Sequence, residues 1–326
     1  MLSFLYQQFL PIGLAAAAAA GLLLPAAGCY VAALPTQQVA VSIIFVCAGL
    51  RLRTDEVWTA LWAWRATLWG TFSTLFVTPL VGALIAFQLP LEPSFRVGLA
   101  LFCCMPTTLS SGIALTAQAR GNVALALLLT VLTNFAGILT VPFVLALLLE
   151  AVGNVELSAQ DLLAKLCLSI LLPLVAGKLL RRFLAGWVDR HRDALAVTSN
   201  LALISVPWMQ FSQSSGRLAQ IAGTGIALIV VFGLGIHVVY LLLNDGGARL
   251  LRLPPPARTA VVLLASQKTL PVALTVLAFL PIPPETKGLV AIPCVTTHLG
   301  QIFFDAVLAT RWGHAAARRQ PRPVAG

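Results

Sequence analysis

Long apolar stretches fill most of the chain, separated by short breaks that contain charged residues, proline or glycine. Within each stretch the apolar residues are continuous and do not alternate with polar ones, as in membrane-spanning helices and unlike transmembrane β-barrel strands. A helical span needs about 20 mostly apolar residues. The pattern therefore predicts an all-α membrane protein with ten transmembrane helices, at residues 8–28, 36–52, 66–88, 95–118, 122–149, 160–184, 195–213, 219–244, 258–281 and 287–312.

The composition also indicates a membrane protein. Only 10% of the 326 residues are charged and 59% are hydrophobic, whereas soluble domains contain about 25% charged residues. In a soluble protein a net charge of +10 would suggest a nucleic-acid partner, but ten spans place most Lys and Arg on the side shared by both termini. We therefore predict no nucleic-acid partner and cytoplasmic (or stromal) termini, in a bacterial inner membrane or a plastid envelope. The oligomeric state is left open.

Residues 10–28 allow two interpretations. Their apolar run ends in small residues, as a secretory signal peptide does. However, no Lys or Arg precedes Arg51, so the basic region of a signal peptide is missing. We therefore predict that this stretch is the first membrane span.

The two halves of the chain share a pattern. A Leu-Pro pair occurs at 10–11 and again at 172–173, and Pro106 in the fourth span has a counterpart in Pro271 of the ninth. Five spans per half is an odd number, so the second copy would be inserted upside down. Inverted repeats with interrupted helices in matching positions are typical of secondary transporters. We predict one transporter domain, with repeat one at about 8–149, repeat two at about 160–312 and a basic cytoplasmic tail at 313–326.

A first polar patch surrounds Pro106. Proline frees a backbone carbonyl one turn earlier, and carbonyls with hydroxyls at membrane depth can bind a cation or a carboxylate. The alternative is that the hydroxyls bond to their own helix or pack between helices. The candidate binding residues of this patch are Thr107, Thr108, Ser110 and Ser111.

A second patch contains Lys268, near the middle of the ninth span. An ammonium group there costs roughly 2.5–3.5 kcal/mol on insertion scales, so it needs a partner or a wet cavity. Apart from Asp161 at the start of the sixth span, Asp305 is the only acidic residue predicted inside a span. The two could simply form a structural ion pair, or the lysine could act in transport. The candidate binding residues are Ser266, Gln267, Lys268 and Thr269.

A third patch lies in the tenth span, where His298 and Gln301 are one helical turn apart on one face. Thr130 and Asn134 share a face of the fifth span in the same way. All four are candidate ion- or substrate-binding residues, although intramembrane histidines are often structural donors. We interpret His237 as structural or pore-lining.

The sequence lacks the motifs of ATP-driven pumps and of enzymes. The absence of GxxxxGK[ST] argues against an ATP-driven pump. There is no nucleophile–base pair and no His/Glu metal constellation, so we predict that the chain is not an enzyme. We expect no tightly bound cofactor.

Six segments together resemble the bile acid:sodium symporter family, most closely the branch of plant chloroplast sodium/metabolite cotransporters with bacterial and animal relatives. The segments, in order, are GLRLRTDEV, CMPTTLSSGIALTAQARGN, VPF, LLPLVAGKLLRR, ASQKTLPVALTVLAFL and IPCVTTHLGQIFFD. The resemblance covers about residues 8 to 312. It implies ten spans in two inverted repeats, with spans four and nine unwound and crossing in a core domain. Spans one, two, six and seven would form a panel, and substrate would bind between panel and core.

The resemblance also implies sodium ligands. In the family these are a Ser-Asn pair in span four, hydroxyls in span five, and a Glu and a Gln in span nine. Ser111 matches the Ser, Thr130 a span-five hydroxyl and Gln267 the Gln. Gly112 stands where the Asn would be, and the ninth span contains no acidic residue.

We therefore predict a secondary transporter for a small anionic metabolite, coupled to sodium by family resemblance. The missing Glu keeps alternatives open. The ammonium of Lys268 could replace one sodium ion, leaving transport uncoupled, or coupled to protons if the lysine titrates when dehydrated. The chain could also be a non-transporting membrane receptor or regulator. A carboxylate substrate would meet Lys268, the hydroxyls and the exposed helix ends.

Overall fold

The computed structural model describes residues 9–52, 63–151, 157–218 and 223–319. Regular structure in these ranges is entirely helical, and they contain no β-strand. Some predicted features lie outside the described residues. They are residue 8 of the first span, the RTDEV part of the GLRLRTDEV motif, the start of the eighth span at 219–222, and the tail from residue 320.

The helices are numbered α1 to α14 in chain order. The first half of the chain forms α1 (Phe9–Leu23), α2 (Pro25–Ala32), α3 (Thr36–Arg51), α4 (Trp64–Gln88), α5 (Pro93–Cys103), α6 (Ser111–Gln118) and α7 (Val123–Ala151). The second half forms α8 (Ala159–Arg190), α9 (Arg192–Gln213), α10 (Ser215–Leu218), α11 (Gly223–Leu250), α12 (Pro255–Ser266), α13 (Leu270–Phe279) and α14 (Pro284–Arg319).

Seven segments of the described chain are long and apolar enough to cross a membrane: α4, α7, α8, α9, α11, α12 with α13, and α14. The number is eight if α1 and α2, which meet at 100°, form one span. The helices in the second and fourth predicted spans are shorter than the seven segments above. Helix α3 has 16 residues, and α5, which forms the first part of the fourth predicted span, has 11. At 1.5 Å per residue α3 is roughly 24 Å long, less than a hydrocarbon core of about 30 Å. The all-helical class is confirmed, and the count of ten stays a prediction.

A proline widens α4 in the middle of the bundle. Ser73–Val77 forms a π-helical turn just before Pro79, and the N–H of Thr78 donates to the carbonyl of Ser73. In i→i+5 bonding the carbonyl of Thr74 would accept from residue 79, but proline has no N–H. The Thr74 carbonyl therefore has no backbone donor, and side chains donate to it instead, the Thr78 hydroxyl at 3.3 Å among them.

Two segments inside the bundle are not helical. Residues 104–110 separate α5 from α6, and residues 267–269 separate α12 from α13. The two segments meet where the N–H of Thr269 donates to the carbonyl of Pro106 over 3.0 Å. In the most apolar 18-residue stretch of the α12–α13 segment 94% is buried, against at most 50% in the corresponding stretch of each other candidate span. The meeting point, called the crossing below, therefore lies at the centre of the fold.

Two sets of helices pack closely, and α14 contacts both, since it packs against α9 and also against α5, α6 and α11. α3 packs against α8 and α9, and α9 packs against α1. The backbones of α3 and α8 touch, since a Cβ at Gly49 would meet the carbonyl of Leu174 and one at Gly177 would meet the carbonyl of Val46. The other group packs around α12 and includes α4, α6, α7 and α11.

Gly177→Ala should lower the stability of the protein. The added methyl group would collide with backbone, and overpacking costs about 1–3 kcal/mol. Gly186→Ala, on the same helix, is the control, because nothing lies within 4 Å of its Cβ position and Ala favours the helix. Thermal unfolding in detergent measures both variants. Equal midpoints would contradict the close contact between α3 and α8.

Candidate functional site

Gln301 of α14 supplies hydrogen bonds to the non-helical backbone at the crossing. Its Oε1 accepts from the N–H of Lys268 at 3.0 Å, and its Nε2 donates to the Lys268 carbonyl at 2.6 Å. Nδ1 of His298 lies 3.2 Å from the same carbonyl oxygen. Unpaired backbone groups are costly away from water. These two side chains therefore stabilise the interruption between α12 and α13.

The side chain of Lys268 is enclosed by α4 and α11. Its Nζ donates to the Thr74 carbonyl at 2.9 Å and to the Thr78 hydroxyl at 2.8 Å. Nζ also lies 5.6 Å from the centre of the Tyr240 ring, a distance at which a cation is attracted to an aromatic face. Lys268 is 1% exposed. A buried ammonium is thus satisfied here by oxygen dipoles and a ring face.

Asp305 does not pair with Lys268, which corrects one of the two predicted alternatives. Its Oδ1 lies 2.9 Å from Nε2 of His237, and its Oδ2 accepts from Nε2 of Gln267 at 2.7 Å. The reason is the extended backbone at Gln267. Successive side chains of an extended chain point to opposite sides, so Gln267 faces Asp305 while Lys268 faces α4.

A chain of polar groups runs from Asp305 to α6. Oε1 of Gln267 accepts from the Thr108 hydroxyl at 2.8 Å, and that hydroxyl accepts from the N–H of Gly112 at 3.0 Å. A full carboxylate therefore lies beside Gln267, although the ninth predicted span contains no acidic residue. It comes from the tenth predicted span.

A cavity of about 480 Å³ adjoins the crossing. This volume is within the range of small-molecule sites. Thr108, Thr269 and His298 line the end at the crossing, and the first residues of α6 and α13 border it. Helix N-termini carry partial positive charge and favour anions. The cavity therefore offers hydroxyls and backbone dipoles to a negatively charged group.

The predicted site residues divide between this cavity and the packed region behind it. Those that line the cavity are Thr108, Ser110, Ser111, Thr130, Asn134, Thr269 and His298. Those behind it are Thr107, Ser266, Gln267, Lys268 and Gln301. Lys268 and Ser266 border a separate and much smaller void. The expectation that a substrate carboxylate meets Lys268 therefore does not hold for this cavity.

Other residues join the site without having been predicted. Ser73 donates to Oδ1 of Asn244 at 2.6 Å, and Nδ2 of Asn244 donates to the Ser266 hydroxyl at 3.2 Å. The available signal was the run TFSTLFVTP at 71–79, which places hydroxyls and a proline within an apolar span. Arg51 and Arg192 line the cavity, whereas the sequence pattern indicated only a role in membrane orientation.

Interrupted helices that meet beside a cavity lined by hydroxyl groups, within an apolar bundle, are typical of membrane transporters. The chain belongs to the SBF-like CPA transporter family, whose model matches residues 7–314. This match confirms the predicted family. The family consists of integral membrane transporters, so the prediction that the chain is not an enzyme is also confirmed.

Named relatives span most of the chain. The probable sodium/metabolite cotransporter BASS4, chloroplastic, of Oryza sativa subsp. indica is 38% identical over 326 residues, which cover 96% of this chain and 77% of the relative. The protein of the same name from Arabidopsis thaliana is 36% identical, covering 96% and 74%. Sodium/bile acid cotransporter 7-A of Xenopus laevis is 26% identical, covering 83% and 80%.

Thr78→Val should destabilise the protein by about 1.5–3 kcal/mol, the range for a hydrogen bond to a charged group. The ammonium of Lys268 would keep only one of its two oxygen acceptors. Thr71→Val, two turns earlier on α4, is the control, since the Thr71 hydroxyl has no hydrogen-bond partner among the described residues. Thermal unfolding in detergent compares the two. Similar losses would argue against the described position of the ammonium.

Asp305 and His237 should be energetically coupled, whereas Asp305 and Lys268 should not. A double-mutant cycle with Asp305→Ala and His237→Ala should give an interaction energy of at least about 1 kcal/mol, as contacting residues do. The matched cycle with Lys268→Met should give less than about 0.5 kcal/mol. Unfolding free energies in detergent supply both values, and the reverse order would restore the Lys268–Asp305 pair.

Proposed function

We propose that this chain is a secondary transporter that carries a small organic anion together with sodium. It would have ten spans in two inverted repeats, with both termini on the cytoplasmic or stromal side. The fourth and ninth spans would be α5–α6 and α12–α13. The observation that carries the proposal is the contact between Thr269 and Pro106, which joins the two interrupted segments at the end of a polar cavity.

The cavity suits an anion. Ser110, Ser111 and the N-termini of α6 and α13 border it, and its lining contains no Asp or Glu among the described residues. A carboxylate bound there would accept hydrogen bonds and interact with the positive ends of two helix dipoles. The same features stabilise anions in other membrane transporters with interrupted helices.

Sodium coupling is supported by the names of the relatives and by the oxygen atoms near the crossing. Ser111 and Thr130, two of the candidate sodium ligands, border the same cavity. The buried hydroxyls of Thr107 and Thr133 have no hydrogen-bond partner among the described residues, so they can act as ligands. Asp305, next to the third candidate ligand Gln267, would supply the negative charge that the ninth span lacks.

The surroundings of Lys268 favour a second candidate function. Its ammonium sits between a carbonyl and a hydroxyl of α4, and oxygen atoms of this kind also hold sodium ions in unwound transporter helices. In this candidate the lysine permanently takes the place of one ion. Anion transport would then proceed without a sodium gradient.

Counterflow in proteoliposomes with a panel of small carboxylates, with and without a sodium gradient, tests both candidates. We expect sodium-stimulated uptake, and Ser111→Ala should raise the sodium concentration for half-maximal uptake about tenfold, as loss of one ligand worth roughly 1.4 kcal/mol would. Ser205→Ala is the control, because this hydroxyl bonds within α9.

The remaining outcomes separate the candidates. Uptake that does not depend on the sodium gradient and is lost in Lys268→Ala would contradict sodium coupling. It would support the second candidate, in which Lys268 takes the place of one sodium ion. No flux of any carboxylate would overturn both.

A further inference from the structure

The cavity beside the crossing has two walls of different chemistry. The wall formed by α6 and α7 carries hydroxyl and amide groups, Thr130 and Asn134 among them. The other wall is contributed by α1, α3, α8 and α9, which pack against one another. Among the described residues of that wall the uncharged side chains are aliphatic, with the exception of Ser199 and Asn200 on α9.

These two side chains have no hydrogen-bond partner among the described residues. Both are half-buried and border the cavity. The other serines of α9 behave differently, since the hydroxyls of Ser205 and Ser212 donate to carbonyls of the preceding turn. Such bonding is common for serine inside a helix. The hydrogen-bonding groups of Ser199 and Asn200 are therefore available to a molecule in the cavity.

The two residues lie well inside the cavity. Arg192, Ser199, Asn200 and Leu203 line it at the spacing of one helix face. Arg192 begins α9, and Asn200 follows roughly 12 Å further on at 1.5 Å per residue. Leu203, the last residue of α9 in the lining, is one turn beyond Asn200. The hydroxyl and the carboxamide therefore border the interior of the cavity and not its end at Arg192.

The pair matches a neutral hydrogen-bonding group. A carboxamide offers two donors and an acceptor, and a hydroxyl offers one donor and acceptor lone pairs. Neither residue carries the full charge that strengthens hydrogen bonds to a carboxylate. An apolar ligand that displaced water from Ser199 and Asn200 would leave their polar groups unpaired, which is unfavourable. A ligand with its own hydroxyl opposite α9 would replace that water by direct hydrogen bonds.

We propose that Ser199 and Asn200 select substrates that carry a hydroxyl group at a distance from their carboxylate. The carboxylate lies at the crossing, and the hydroxyl meets α9 on the other wall of the cavity. This inference rests on the proposed transport function and adds a neutral polar group that the substrate must carry. It also assigns a role in specificity to two residues outside the polar patches of the fourth, fifth, ninth and tenth predicted spans.

The test compares ω-hydroxycarboxylates with the unbranched alkanoates in which a methyl group of similar size replaces the hydroxyl. A series of chain lengths is used, because the distance across the cavity selects one of them. Calorimetry on purified protein in detergent, with saturating sodium, gives the dissociation constants without passive diffusion of the acids through lipid. At the best chain length the wild type should bind the hydroxy compound about tenfold more tightly, as expected for neutral hydrogen bonds.

Asn200→Leu replaces the carboxamide by an apolar side chain of similar size. This variant should bind the hydroxy compound about fivefold more weakly and the alkanoate within about twofold of the wild-type value. The preference should therefore fall to about twofold. Ser199→Ala should change the preference in the same direction, and it keeps the proposal falsifiable if Asn200→Leu does not fold.

Two further variants control the result. Thr198→Val removes a hydroxyl from the neighbouring position of α9, where the side chain is exposed and does not line the cavity. It should keep the full preference for the hydroxy compound. Asn200→Ser retains a donor and an acceptor on a shorter side chain, so it should keep part of the preference.

Three outcomes would overturn the proposal. Equal affinity of the wild type for both compounds at every chain length would remove the role of Ser199 and Asn200 while leaving the transport function intact. Equal weakening of both compounds by Asn200→Leu would mean that Asn200 acts through packing and not by recognising the hydroxyl. Absence of both binding and counterflow for every carboxylate would overturn the proposed function, and this inference with it.

Discussion

Backbone groups that leave a helix in the membrane interior must find hydrogen-bond partners, because no water is there to supply them. The centre of this protein is organised by that constraint. Gln301 pairs with both backbone groups of Lys268, and the N–H of Thr269 pairs with the Pro106 carbonyl. The non-helical segments at 104–110 and 267–269 thus stabilise each other, and the second of them also depends on Gln301 of α14. The polar cavity exists beside these segments because they are fixed in a non-helical conformation.

The extended backbone at the crossing also separates opposite charges. Gln267 and Lys268 are adjacent in the chain, yet one faces Asp305 and the other faces Thr74. The negative charge pairs with His237 on α11, and the positive charge is solvated by dipoles of α4. A direct ion pair between Asp305 and Lys268 would have neutralised both charges. Their separation leaves a carboxylate beside the amide of Gln267 and an ammonium on the other side of the segment.

The pattern of apolar and polar residues was sufficient to predict some features of the fold and of the site, but not others. Continuous apolar stretches predicted the helical membrane class, and prolines with hydroxyls located the segments around Pro106 and Lys268. The pattern could not predict the direction of the Lys268 side chain, because that depends on extended dihedral angles within an apolar span. It also could not reveal that Asp305 reaches Gln267, since this contact joins residues far apart in the chain. The ends of α3, at Thr36 and Arg51, agree with the predicted span 36–52 to within one residue.

The π-helical turn of α4 has a mechanical consequence. Through the Thr74 carbonyl, which Pro79 leaves without a backbone donor, Lys268 fastens the α12–α13 segment to α4. Any displacement of that segment relative to the membrane carries α4 with it unless this buried bond breaks. The α12–α13 segment and α4 are thus joined by this buried bond as well as by packing. A single missing amide hydrogen leaves the acceptor through which the two are connected.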